Sequence, residues 1–240
     1  MNSEDKLVAA PEQANDAGPA LLDRYAALRL VLPVGRTLGD WWREMLVLGV
    51  ACFAWLLLSL TVIGGPPAGA ALYAAARGTA LHQHVDLRLF TTALRAYFLK
   101  SWMVGLVGLF GILFWWVDLT LYVNLLGGSS VLGWAGAIII FYLGVIWLHT
   151  LSYAWSLMVC RDDLRLKQLL RNGLILSLRF PANTITTSIL AGVLLLGAIY
   201  VPPLIGLVIP ALVALLGLHN LYLLAPELVP DDIEVLRVVS

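Results

Sequence analysis

Two histidines in long apolar stretches are the side chains of this sequence best suited to chemistry. His149 lies in the apolar run 131–160, and His219 is followed by Asn220 near the end of the run 204–224. Because imidazole titrates near neutral pH, such a pair could relay protons or bind a polar ligand. The alternative is hydrogen bonding between helices, which stabilises helix pairs in lipid. We favour hydrogen bonding and keep a polar pathway as the second hypothesis.

Two charged side chains are further candidates for that pathway. Asp118 is the only acidic residue well inside a predicted span, and an acid within a bilayer is a functional candidate by default. It is expected about 26 Å along its helix from Ser101, near the outer interface, where a solvated or hydrogen-bonded carboxylate is the simpler interpretation. Arg77 lies in a short apolar helix, and snorkelling to the inner membrane surface would explain it equally well.

His82, His84 and Asp86 spell H-x-H-x-D, a spacing that could ligate a metal. On a helix His84 would point away from the other two side chains, so a site with three ligands requires a loop. We therefore expect a solvated loop, no metal and no cofactor. The sequence also lacks H-E-x-x-H, G-x-S-x-G, a P-loop and paired intramembrane acids, and we predict that the protein is not an enzyme.

The positive charges indicate how these candidate residues are positioned. The 15 Lys and Arg residues fall in four blocks, at 6–43, 77–100, 161–179 and 237, and the chain is 60% hydrophobic and 12% charged. Charge is costly in a bilayer core, and short cytoplasmic loops collect Lys and Arg. The pattern predicts an all-α, polytopic membrane protein with every basic block and both termini on the cytoplasmic side.

Apolar periodicity predicts about six spans joined by interfacial amphipathic helices. We expect a polar tail at 1–19, a cytoplasmic interfacial segment at 20–43 whose helix ends at Pro33, a helical bundle at 44–226, and an acidic cytoplasmic tail at 227–240. The spans are predicted at 44–63, 68–81, 101–124, 131–160, 184–201 and 204–224, and further amphipathic helices at 86–98 and 163–180. Tryptophans favour the headgroup boundary; Trp102 and Trp155 fall near the inner one, and Trp115, Trp116 and Trp134 near the outer one.

The second span is short, and two interpretations remain open for it. It either crosses with its outer end below the membrane surface or re-enters as a half-helix buried by its neighbours. The return of the second basic block to the inner side favours a crossing.

Gly64, Gly65, Pro66 and Pro67 interrupt the apolar sequence before this short helix. Interruptions of this kind build ion or anion sites in transporters, because they expose a helix N-terminus at depth. The alternative is a tightly packed turn. We favour packing, since the small residues between Gly69 and Gly78 allow neighbouring backbones to approach closely.

The break carries a resemblance to a known family. Residues Thr61–Tyr73 read TVIGGPPAGAALY, which resembles the T-x-GPA-x-AALY signature of the YesL-like family, bacterial membrane proteins of unknown function. The following FTTALRAYF, from Phe90, and KSW, from Lys100, are similar to that family's amphipathic lead into its next span. An extra Gly and Pro shift the register of the break here. Members often lie beside sugar ABC-transporter components, so the resemblance implies an inner-membrane protein with a transport-associated accessory role.

Two functions follow from these observations. The first is a scaffold or accessory subunit that packs against another membrane protein or a second copy of itself. The second is a small transporter or permease-like protein with a polar site at the Gly-Gly-Pro-Pro break. The small number of polar residues within the spans favours the first. The basic blocks are interleaved with apolar residues beside spans, so we expect the bilayer, including anionic lipids, as their partner, and no nucleic acid.

Overall fold

The computed structural model of the chain describes residues 19–83, 85–126, 131–200 and 206–226. Within these ranges the chain is helical apart from short connections and has no β-strand, which confirms the all-α class. A short π-helical segment, Tyr122–Leu126, extends α5. The helices are α1 Pro19–Arg43, α2 Met45–Ser59, α3 Gly65–Ala80, α4 Leu87–Ala96, α5 Phe98–Leu121, α6 Val131–Cys160, α7 Leu166–Arg179, α8 Pro181–Tyr200 and α9 Ile209–Leu224.

Two of these helices are long and apolar enough to cross a membrane. They are α5 with its extension, Phe98–Asn124, and most of α6, Gly133–Cys160. The pairs α1–α2 and α7–α8 pass the same test only as bent units, with bends of 91° and 96°. The described residues therefore contain two clear candidate spans and up to four, and the predicted six are not confirmed. Large apolar side chains cover their outer surfaces, as expected for helices in lipid.

The prediction that Pro33 ends the first helix is wrong, because α1 continues through it to Arg43. A proline inside a helix removes one backbone hydrogen bond and crowds the preceding turn. The turns that follow nevertheless pack against the bundle, where Thr37 and Asp40, counted as whole residues, are 4% and 8% exposed. Their burial holds the chain helical where local preference alone would have ended it.

α3 lies at the centre of the described bundle. It contacts α1, α2, α4, α5, α6 and α9, and its side chains from Pro67 to Ala80 are mostly buried. Small residues permit this: Gly69 faces the ring of Trp155, and Gly78 faces Val85. With no bulky side chains in between, the surrounding helices approach the α3 backbone directly.

The hairpin of α2 and α3 extends along only the first third of the length of α5. At its tip the Ile63 carbonyl accepts a hydrogen bond from Trp102 Nε1, at 3.1 Å. A Cβ added to Gly105 would lie 3.2 Å from the Pro66 ring. The tip therefore lies beside the first third of α5, which continues from Gly105 to Leu121 for roughly another 24 Å. The sequence placed Ile63 and Trp102 near opposite membrane boundaries, whereas the structure joins them.

The three basic blocks that the structure describes meet at one end of the molecule. Arg43 Nη2 donates to the Thr79 carbonyl at 3.3 Å, where the first block meets the end of α3. Lys100 Nζ donates to the Asp162 carbonyl at 2.9 Å, joining the start of α5 to the connection between α6 and α7. The predicted clustering of these blocks on a common side is consistent with these contacts.

Candidate functional site

The Gly-Gly-Pro-Pro break satisfies its own backbone. Thr61 Oγ1 donates to the Leu58 carbonyl at 2.6 Å and accepts from the Gly64 N–H at 3.1 Å. The Gly65 N–H donates to the Val62 carbonyl at 3.3 Å, and the Ala68 N–H donates to the Gly64 carbonyl at 2.9 Å.

Pro66 and Pro67 add no unpaired donor to the break, because proline has no backbone N–H. The first turn of a helix normally presents unpaired N–H groups, and these groups are what an anion would bind. Here, among the described residues Gly64 to Ala68, each backbone N–H is either paired or absent. The break thus has the chemistry of a closed turn and offers no donors to a ligand.

His219 takes part in a buried polar contact that joins α9 to α1. Its Nε2 lies 3.0 Å from Asp40 Oδ2, and the two side chains are 3% and 12% exposed. Arg43 extends the contact, with Nη2 3.6 Å from Asp40 Oδ1. Burial makes a pair of this kind costly to break, because either partner left alone would be unsatisfied. The arrangement anchors α1 to the bundle.

Sequence reasoning missed Asp40 and Thr37, which lie in the predicted interfacial segment 20–43, beyond the expected helix end at Pro33. The available signal was their spacing with Trp41, which places the three on one face of α1. Trp41 packs against the core, so this face is the buried one.

His149 forms a separate contact between α6 and α8. Its Nδ1 lies 3.1 Å from the Val145 carbonyl, and its Nε2 lies 2.6 Å from Thr187 Oγ1. A carbonyl only accepts, so Nδ1 carries a proton and donates to Val145. The Thr187 hydroxyl also lies 2.9 Å from the Asn183 carbonyl, so it links His149 to the backbone of α8. The hydrogen-bonding interpretation thus describes both histidines.

The two neighbours on α9, His219 and Asn220, serve different sides of the helix. His219 faces Asp40 of α1, whereas Asn220 lines a cavity of about 520 Å³ between α6, α8 and α9, together with His149. Successive residues point in directions about 100° apart on a helix. The side chains of His149 and Asn220 therefore line the same cavity, whereas the side chain of His219 points away from that cavity toward α1.

Arg77 and Asp118 lie elsewhere. Arg77 Nη1 donates to the Val159 carbonyl at 2.9 Å and lines a cavity of about 260 Å³ with Gln83, Thr92 and Tyr97. Asp118 is half-buried close to the far end of α5 and lines neither cavity. The predicted pathway residues therefore do not form one route.

A polar cluster closes the basic end of the molecule. The Tyr97 hydroxyl donates to Asp162 Oδ1 at 2.6 Å, and Arg161 Nε donates to Asp163 Oδ1 at 2.8 Å. The hydrogen bonds from Arg161 lower the pKa of Asp163 to about 2. This carboxylate therefore stays ionised over the whole physiological pH range.

The H-x-H-x-D pattern is not assembled by the part of the chain that is described. His84 lies outside the described residues, and His82 Nδ1 lies 3.3 Å from the Ala80 carbonyl. Asp86 has a structural role instead, because its carboxylate caps α4 by accepting from the Leu89 N–H at 2.9 Å. No three His, Cys, Asp or Glu side chains among the described residues are grouped to hold a metal ion.

Comparison with family models, with curated proteins and with solved structures gives no match to this chain.

Proposed function

We propose that this protein is a non-enzymatic membrane scaffold, an accessory subunit that packs against another membrane protein or a second copy of itself. The observation that carries this proposal is that the backbone N–H groups of the Gly-Gly-Pro-Pro break are paired or absent. The helix that follows the break, α3, packs at the centre of the bundle and is mostly buried. The N–H groups of Gly64 and Gly65 donate hydrogen bonds within the turn, and Trp102 Nε1 donates to the Ile63 carbonyl. A route for a polar substrate needs unpaired groups along its length, and the break supplies none among its described residues.

The proposed topology is four crossings and one re-entrant hairpin. In it α5, α6, α8 and α9 cross, α1, α4 and α7 lie at the cytoplasmic interface, and the α2–α3 hairpin returns within the membrane. The contact between Ile63 and Trp102 supports this arrangement, because a full outward crossing of α2 would separate them by most of the bilayer. Both termini are then cytoplasmic, as in the six-span prediction.

The chemistry of the tip fits this depth. Non-helical backbone is tolerated within a membrane where its polar groups are satisfied by protein. Leu60, Val62 and Ile63 are 75%, 72% and 65% exposed, and all three are apolar. The tip therefore presents hydrocarbon outward and keeps its hydrogen bonds inward.

The association with transport, and the bacterial inner membrane as location, rest on the resemblance of Thr61–Tyr73 to the YesL-like signature. The basic end of the molecule suits anionic lipid headgroups and the cytoplasmic face of a partner. A scaffold needs no reaction centre.

A second candidate is a small transporter. The observation in its favour is the cavity that His149 and Asn220 share. The cavity does not include Gly64–Pro67, Arg77 or His219, so it lacks the continuity that transport requires.

Purification separates the two candidates. The tagged protein, extracted in mild detergent, is expected to bring down a membrane protein in fixed stoichiometry or to elute as a homo-oligomer. Liposomes containing the purified protein alone are expected to take up labelled sugars no faster than empty liposomes. Uptake by the protein alone, without any stable partner or oligomer, would overturn the scaffold proposal in favour of transport.

A further inference from the structure

The cavity between α6, α8 and α9 has the size of a small-molecule site. Its volume is about 520 Å³, within the range typical of ligand pockets. Most of its wall is apolar, and several wall residues also face outward, with Phe141, Leu148 and Ile189 being 55%, 43% and 63% exposed. The cavity is therefore open to the surroundings of the helices, which for this molecule are lipid.

One part of the wall is polar but carries no permanent charge. It is formed by His149, Ser152, Tyr153, Thr187, Ser188 and Asn220, and no Lys, Arg, Asp or Glu is among the described lining residues. Both nitrogens of His149 are already engaged, with the Val145 carbonyl and the Thr187 hydroxyl. An ionic head would have to be buried here without a counter-charge, which is unfavourable.

One buried polar atom at this wall, Asn220 Oδ1, has no hydrogen-bond partner among the described residues, and Asn220 is only 3% exposed. The buried Tyr153 hydroxyl, in contrast, has the Asn183 side-chain amide as its hydrogen-bonding neighbour. Buried polar atoms are nearly always paired in folded proteins, so Asn220 Oδ1 indicates a missing polar partner.

We propose that this cavity binds a neutral lipid alcohol, a molecule with an apolar chain and an uncharged hydroxyl head. A hydroxyl both donates and accepts, so it can pair with the Asn220 amide in either orientation of that amide. The apolar chain would lie along Phe141, Leu148 and Ile189 and continue into the bilayer. This inference is independent of the scaffold proposal.

Two sources of such a head are an acylglycerol and an isoprenoid alcohol. The experiment uses the purified full chain in phosphatidylcholine nanodiscs with three photoactivatable probes, a diacylglycerol, a polyprenol and a phosphatidylcholine. We expect an alcohol probe, but not the phosphatidylcholine probe, to label peptides of α6, α8 and α9, and unlabelled alcohol to compete. The arm that labels more strongly identifies the source.

Matched variants test the location. Gly192 lines the cavity, and a Cβ added there would meet nothing within 4 Å, so Gly192→Leu fills the space without a clash. Gly49 on α2 has equally open space and is outside the cavity, so Gly49→Leu is the control. We expect Gly192→Leu to reduce labelling about tenfold and Gly49→Leu to leave it unchanged.

Asn220→Leu tests the polar contact with little change in volume. We expect labelling to fall about tenfold, because the head loses its partner, while the Tm in lipid-free detergent is kept or raised, because a buried unpaired atom is removed. The proposal is overturned if Gly192→Leu labels like the wild type, or if the phosphatidylcholine probe labels the same peptides equally well. It is also overturned if the probe is excluded by a co-purified protein helix seated in the cavity.

Discussion

Thr61 illustrates, at the scale of one residue, how a helix break can satisfy its own backbone. Its hydroxyl accepts from the Gly64 N–H and donates to the Leu58 carbonyl, which also accepts from the Thr61 N–H at 3.1 Å. Without the hydroxyl, the Gly64 N–H would keep its full desolvation cost. The threonine hydroxyl therefore supplies the hydrogen-bond acceptor that water would supply at an exposed turn of a soluble protein.

Thr61→Val is expected to destabilise the protein by about 1–3 kcal/mol, because the Gly64 N–H loses its acceptor while the side-chain shape is kept. Thr120→Val is the matched control. The Thr120 hydroxyl bonds only to the Trp116 carbonyl one turn earlier on the exposed face of α5, and that carbonyl belongs to a continuous helix. Thermal unfolding in one detergent measures both variants. Equal Tm values for the two would contradict the role given to Thr61.

The histidines show how far single residues could be predicted. Hydrogen bonding between helices was favoured for both from residue type and apolar context, and the structure has it. The partner of His219 could not be predicted, because Asp40 lies 179 residues away in sequence and only the docking of α1 brings them together. Local pattern predicts that a buried polar group needs a partner, whereas tertiary packing decides which one it finds.

At the scale of the element, α7 illustrates how small residues hold one helix closely on another. Gly173 lies against α6, where an added Cβ would be 2.5 Å from the Thr150 carbonyl oxygen. The obstacle is backbone, which cannot rotate away as a side chain can. Ser177, one turn later, is also buried, so a narrow face of small residues lets α7 cross α6 closely.

Gly173→Ala is expected to lower stability by about 1–3 kcal/mol, because the two helices must separate. Gly39→Ala on α1 is the control, since a Cβ there meets nothing within 4 Å. Alanine favours a helix over glycine, so the control is expected to be neutral or slightly stabilising. Thermal unfolding measures the change in stability of each variant. We also expect limited proteolysis to cut α7 faster in Gly173→Ala than in Gly39→Ala. Similar behaviour of the two variants would show that the close crossing is not needed.

Element boundaries were predictable where periodicity and caps agree. The bounds of α6 and the presence of α4, α5 and α7 follow from apolar runs, from the Asp86 cap and from Pro181. α3 begins at Gly65, earlier than the predicted Ala68, because proline is favourable in a first helical turn and does not delay the helix. Pro33 shows the reverse case, in which burial of the next turns outweighs a local stop signal.

At the scale of the whole molecule, the basic blocks limit the topology without fixing it. The return of the second basic block does not favour a crossing as expected, because a chain that crosses twice and a chain that re-enters both return to the side they left. The charges therefore predict a common side for the blocks but cannot distinguish six crossings from four with a hairpin. That distinction depends on which residues meet at depth, and the contact of Ile63 with Trp102 is the one that favours the hairpin.

The central claim is that the α2–α3 hairpin turns back within the membrane, and impermeant maleimide labelling of single cysteines in sealed vesicles of both orientations tests it directly. The background carries Cys52→Ala and Cys160→Ala, which remove the two native thiols. The test position is Leu60→Cys, at the tip and 75% exposed in the isolated molecule. Gly128→Cys between α5 and α6, and Lys100→Cys at the basic end, are the outer and inner references.

The account predicts that Gly128→Cys is labelled only from the outer side and Lys100→Cys only from the inner side. Leu60→Cys should react from neither side until detergent is added, because the tip lies in hydrocarbon. Labelling of Leu60→Cys from the outer side as rapidly as Gly128→Cys would mean that α2 crosses completely, and would contradict the account.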